Sequence, residues 1–126
     1  MRKPFYRGAQ GNLSLHVMTV SLVALAAGGT KVLAEHLPIG TEIVGIRHIT
    51  ANLGSSTAIK VELVDKADAK AELLTVVTTS AKNGNTPLKP VYIDDNGPSD
   101  LVLTNTGGSA ATGEVTIQLE YRFKGY

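Results

Sequence analysis

No cysteine occurs in the sequence, which removes disulfides, thiolate metal sites and thiol nucleophiles and leaves the redox compartment open. Tryptophan is absent too, and the aromatic residues stop at two phenylalanines and four tyrosines. That argues against the ring platform on which sugars stack. Neither sign of charge dominates: 12 Lys and Arg against 11 Asp and Glu leave a formal net charge of +1, without the basic excess of a nucleic-acid-binding chain. No apolar run has the length of a membrane span. The GxSxG elbow, the phosphate loop and GxGxxG are all missing, because Gly107, Gly108 and Gly113 sit in GGSAATG, which lacks that spacing.

What remains, 43% hydrophobic and 18% charged over 126 residues, is the composition of one globular domain long enough for a core of its own. Its clearest pattern is Gly113 to Phe123. Val115, Ile117, Leu119, Tyr121 and Phe123 alternate with Glu114, Thr116, Gln118, Glu120 and Arg122. Period two places the first set on one face of a strand and the second on the other. Such a strand needs a sheet to lie in and a second layer to cover its apolar face.

The remaining segments follow suit. Residues 1–12, MRKPFYRGAQGN, have no period and contain Pro4, Gly8 and Gly11, which predicts an extended arm ahead of a domain over 13–126. Met1 to Arg7 followed by apolar Leu13 to Ala27 has the outline of a signal peptide, but His16, Thr19 and Ser21 interrupt the run and strand fits it better. Within that run Leu13, Leu15 and Val17 alternate, the phase moves to Val20 and Leu22, and it returns at Val23 and Leu25. A β-bulge, or burial on both faces, produces such slips. Thr30 to His36 predicts a second strand and Thr41 to Leu53 a third, with a slip near Arg47-His48. Thr57 to Val64 predicts a fourth, Ile59, Val61 and Leu63 inward and Lys60 and Glu62 outward, paired with the third as a hairpin. Asp65 to Glu72 suggests a solvated loop and Leu73 to Thr79 a strand. Asn83-Gly84 suggests a tight turn, Pro87 and Pro90 an extended link, and Val91–Ile93 and Leu101–Thr104 short strands. The sum is an all-β, roughly eight-stranded antiparallel sandwich, jelly-roll-like.

Candidate chemistry is sparse. His16, His36 and His48 form no spacing motif, although His16 and His48 could meet across a sheet. Asp94, Asp95, Asn96 and Asp100 are oxygen-rich, but adjacent aspartates lack the alternation of a calcium loop, and Asn-Gly-Pro is ordinary turn chemistry. Neither a catalytic residue nor a metal or cofactor site is predicted. The sharper candidates are Arg2, Lys3, Phe5, Tyr6 and Arg7: arginine and aromatic side chains are favoured interface anchors, and the arm is predicted to hold a protein partner.

Three stretches carry a family resemblance. Leu37-Pro38-Ile39-Gly40-Thr41-Glu42-Ile43-Val44-Gly45-Ile46 is similar to an LPxGTxIxGI-like segment, and Leu53-Gly54-Ser55-Ser56-Thr57-Ala58-Ile59-Lys60-Val61 to an LGxSTxxxV hairpin. The third is Gly108-Ser109-Ala110-Ala111-Thr112-Gly113-Glu114-Val115-Thr116-Ile117, which leads into Glu120-Tyr121. In that order they resemble small β-sandwich structural proteins of tailed-bacteriophage virions, several of which decorate or cement capsids. The resemblance implies a non-enzymatic virion protein on the capsid surface. Its partner would be the major capsid protein or another virion protein, and a homo-oligomer, as a trimer, would suit a three-fold capsid position. Neither nucleic acid nor membrane is an expected partner. The alternative is a tail- or fibre-associated module that binds carbohydrate or a receptor.

Overall fold

The computed structural model describes residues 13–66, 70–93 and 98–123. They form β1 (Ser14–Leu25), β2 (Thr30–Leu37), β3 (Thr41–Thr50), β4 (Ala58–Val64), β5 (Lys70–Val77), β6 (Lys82–Tyr92), β7 (Ser99–Asn105) and β8 (Ala111–Phe123). The pairing is nested: β1 lies against β8, β2 against β7, β3 against β6 and β4 against β5, all antiparallel. The chain is thus one long hairpin, four strands against four. It is rolled so that β8 also pairs with β3 and β7 with β4. Two four-stranded sheets result, A (β1-β8-β3-β6) and B (β2-β7-β4-β5), the arrangement of a jelly roll.

The core lies between the inner faces. Ile59, Val61 and Leu63 from sheet B meet Val115, Ile117, Leu119 and Tyr121 from sheet A, none more than 4% exposed, as the alternation predicts. Ile43, Ile46, Leu101 and Leu103 complete the layer with no exposed surface. Each such side chain contributes about 1.5–3 kcal/mol of burial free energy.

The rolled topology corrects several local expectations. The hairpin between the third and fourth strands does not form: β3 belongs to sheet A and β4 to sheet B. The rolled hairpin sends successive strands to opposite sheets everywhere except at its tip, β4–β5. Asn83-Gly84 is not a turn but part of β6, opposite Ile49 and His48. Here the glycine gives room instead of a bend, since a methyl group on it would sit 2.8 Å from His48 Cε1. Pro87 and Pro90 also lie within β6, which tolerates them as an edge strand. Lys70 to Glu72 belongs to β5 and not to a loop; residues 67–69 are outside the described residues.

Three readings of phase change as well. In β3 the irregularity falls between Ile43 and Gly45 and not at Arg47-His48; His48 and Thr50 point inward while Ile49 is 54% exposed. In β1 the register with β8 is unbroken from Ser14 to Leu22, so Leu15 and Val17 lie on the outer face and Met18 and Leu22 on the inner. A bulge does follow, between Leu22 and Leu25, with Ala24 at φ 48°. Glu62, expected in solvent, is 6% exposed and sits 3.7 Å from Lys60.

Candidate interaction surface

Among the described residues no group of three His, Cys, Asp or Glu side chains could hold a metal ion. His16 and His48 face the same interior but flank β8, opposite Leu119 and Ile117 respectively. Two strand spacings, roughly 10 Å, keep them apart. Burial lowers the pKa of His48, and its Nδ1 has no hydrogen-bond partner, so this imidazole is a neutral core residue. Asp100 is structural as well: its Oδ1 accepts from the backbone N–H of His36 at 3.0 Å, holding β2 where its register against β7 breaks. Asp94, Asp95 and Asn96 lie outside the described residues. The recess beside β4 and β6, lined by Leu63, Asp65, Ala71, Val91, Tyr92 and Ser99, measures 140 Å³, below the roughly 300 Å³ at which small-molecule sites begin.

Two of the three stretches that carry the resemblance, 53–61 and 108–117, meet at one end of the sandwich, while the turn at 38–40 lies at the other. Gly108 N donates to Ser56 O at 2.9 Å, Thr106 N to Ala58 O at 2.8 Å and Thr112 N to Leu53 O at 3.1 Å. The loop after β7 therefore lies on the loop before β4. Gly107 permits that approach, because a Cβ there would fall 2.2 Å from Ser56 O. Asn105 locks the arrangement. It is fully buried, its Nδ2 donates to Leu25 O (2.9 Å) and Ser109 O (2.8 Å), and its Oδ1 accepts from Gly107 N (3.0 Å). Two carbonyls and one N–H fix which amide atom points where. These stretches are conformational devices, and they form no reactive site.

The outer faces are where contact chemistry concentrates. On sheet A the β8 residues Glu114, Thr116, Gln118, Glu120 and Arg122 form a polar ladder. It is pinned by Arg47–Glu120 (3.1 Å) and Arg122–Glu42 (2.7 Å). Beside it β1 is apolar: Leu15 is 44%, Val17 51% and Val23 82% exposed, and Leu13 just before the strand is 64% exposed. Sequence reasoning read the phase slips of this segment as a bulge or as burial on both faces, and did not separate this outer stripe from the inner positions. The signal that marks it is the lack of any charged residue from Ser14 to Leu25. Arg2, Lys3, Phe5, Tyr6 and Arg7, the anchors predicted in the arm, lie outside the described residues.

Neither a family model nor a curated protein matches the chain. Solved structures do. The chain is similar to one in the capsid of Ralstonia phage GP4, with a TM-score of 0.72 and 15% identity over 99% of this chain and 92% of that one. It is similar also to a chain of the cyanophage Pam1 capsid asymmetric unit, with a TM-score of 0.67 and 15% identity over 96% and 91% of the two chains. At such identity the likeness is one of fold, and it runs from end to end of chains of nearly equal length.

Proposed function

We propose that the chain is a non-enzymatic structural protein of a bacteriophage virion, and specifically a decoration or cement protein on the capsid surface. One observation carries this reading: a fold of the same size recurs, over nine-tenths or more of each chain, in the capsids of two phages. The order of the three sequence stretches that resemble virion β-sandwich proteins supports it independently. A cement protein works by burying surface across the joints between capsid subunits, which raises the free energy needed to separate them. The rolled sandwich suits that task as a rigid body.

In this reading residues 1–12 are the clasp that grips the major capsid protein or another virion protein. Arg2, Lys3 and Arg7 face acidic groups there, and Phe5 and Tyr6 fill apolar hollows. Ordering the arm costs about 1 kcal/mol or more per residue, so it holds to a substantial interface or not at all. The attachment weakens as salt rises, because the cationic contacts are screened. Deleting residues 2–10 tests the reading. The sandwich should melt within a few degrees of the parent chain, while co-sedimentation with capsids is lost. A deleted chain that still sediments with capsids refutes the clasp, and an intact chain that binds no virion component refutes the virion role.

A further inference from the structure

Sheet edges present unpaired N–H and C=O groups, and chains that avoid edge-to-edge pairing blunt them with charges, prolines or bulges. Three edges of this sandwich are blunted. β2 carries Lys31, Glu35 and two breaks in register. β5 carries Lys70, Glu72 and a break, and β6 carries Lys82, Lys89, Pro87 and Pro90. The fourth edge, β1, has neither a charge nor a proline from Ser14 to Leu25, and its one bulge falls at its end, between Leu22 and Leu25, so its register from Ser14 to Leu22 is unbroken. Among the described residues it has a neighbour, β8, on one side. Of the eight exposed large hydrophobics among the described residues, four are Leu13, Leu15, Val17 and Val23, alternate positions of this one segment and so on its outer face.

We propose that β1 pairs antiparallel, about a two-fold axis, with β1 of a second copy of this chain, joining two A sheets into one continuous eight-stranded sheet. The proposal does not rest on the virion reading. Two features select a second copy over a foreign strand. Antiparallel self-pairing lays the opposite ends of one strand side by side. With Met18 on the axis, Val17 falls opposite the partner's Thr19, Leu15 opposite the partner's Ser21 and Leu13 opposite the partner's Val23. The two most exposed large hydrophobics, Val23 at 82% and Leu13 at 64%, then cover each other. The register also matches faces, because positions opposite one another share parity, inner with inner and outer with outer.

The second feature is charge. A strand crossing its own copy near a two-fold axis sets each charge close to its duplicate, and like charges facing across a ladder destabilise it. A charge-free strand avoids that repulsion in every self-paired register, a condition that a foreign partner does not impose. A two-fold interface closes on itself as a dimer, in place of the trimer that the family resemblance implies.

Sedimentation velocity of the full chain across a concentration series tests the proposal. The parent chain should be a dimer at micromolar concentration. Val17→Lys changes a half-exposed outer position, so it should leave the chain folded with its strand content unchanged by circular dichroism yet weaken dimerisation at least about tenfold, through repulsion across the axis. Adding Thr19→Glu to that variant should restore the dimer, because each introduced amine then meets an introduced carboxylate of the partner. A parent chain that stays monomeric overturns the proposal, including one that gains a second strand only on a capsid. A dimer indifferent to Val17→Lys overturns it too, and so does a double variant that stays dissociated.

Discussion

Asn105→Ala isolates what a single buried side chain contributes to the loop end of the sandwich. The substitution leaves the backbone bonds of residue 105 in place: its N–H still donates to Gly29 O, and its carbonyl still accepts from Gly28 N. What it removes is three side-chain hydrogen bonds of 2.8–3.0 Å to Leu25, Ser109 and Gly107. At a net value of about 1 kcal/mol each, these sum to about 3 kcal/mol. The void left by the carboxamide in a fully buried site adds about 1 kcal/mol. For a chain of this size the unfolding entropy is roughly 0.26 kcal/mol/K, so each kcal/mol lowers the melting temperature by about 4 °C. The expected fall is therefore roughly 15 °C, read by calorimetry on a chain that still unfolds cooperatively. Asn105→Asp sharpens the result. It keeps the acceptor for Gly107 but presents an anion to two carbonyls, so it should be at least as unstable at neutral pH and should recover part of the loss on acidification, when the carboxyl regains a donor. A fall of less than about 4 °C for Asn105→Ala would mean that the loops hold one another without this residue, and the reasoning would be wrong.

Two further outcomes follow from the core. Ile117→Lys places an ammonium group among fully buried apolar side chains with no partner, at a cost comparable with the roughly 5–15 kcal/mol that holds a typical domain together; it should abolish the cooperative thermal transition, and an unchanged midpoint would refute the assignment of the inner face. His48, whose pKa burial lowers from 6.5, should make stability pH-dependent. Above pH 6.5 both states hold it neutral and it has no effect. As pH falls below that value the unfolded chain takes up a proton that the folded one resists, and stability drops at up to about 1.4 kcal/mol per pH unit until the folded state titrates as well. Urea midpoints measured through this range should fall for the parent chain and stay nearly level for His48→Leu; equal slopes would assign the loss to other groups.

The alternation of Val115 to Phe123 was sufficient to identify β8 as a strand and to choose its buried face, because period two survives whatever neighbours the strand acquires. The same logic placed Ile59, Val61 and Leu63. It failed where a residue's role depended on which strand lay beside it. Asn83-Gly84 has the chemistry of a turn, yet Gly84 is read correctly only once His48 is known to press against it. Pro87 and Pro90 argue against a strand until β6 is seen to be an edge. Leu15 and Val17 carry the pattern of a core and face solvent, since burial on β1 goes to Met18 and Leu22 instead. The hairpin expected between β3 and β4 fails for a topological reason: rolling the doubled chain separates strands that are adjacent in sequence. Of the candidate surface, the apolar edge needed the strand order to be seen.

The nested pairing also dictates when the fold can form. β8 bridges β1 and β3, and Ser14 finds its partner at Tyr121, so sheet A has no centre until β8 has been made and has left the ribosome. The first seven strands wait as a collapsed but unclosed chain, with β1 among the segments most able to pair wrongly. An incomplete nascent chain therefore shows neither the finished sandwich nor the surface it would present to a partner. Closure of the sandwich therefore waits on β8, whose arrival completes sheet A in one step.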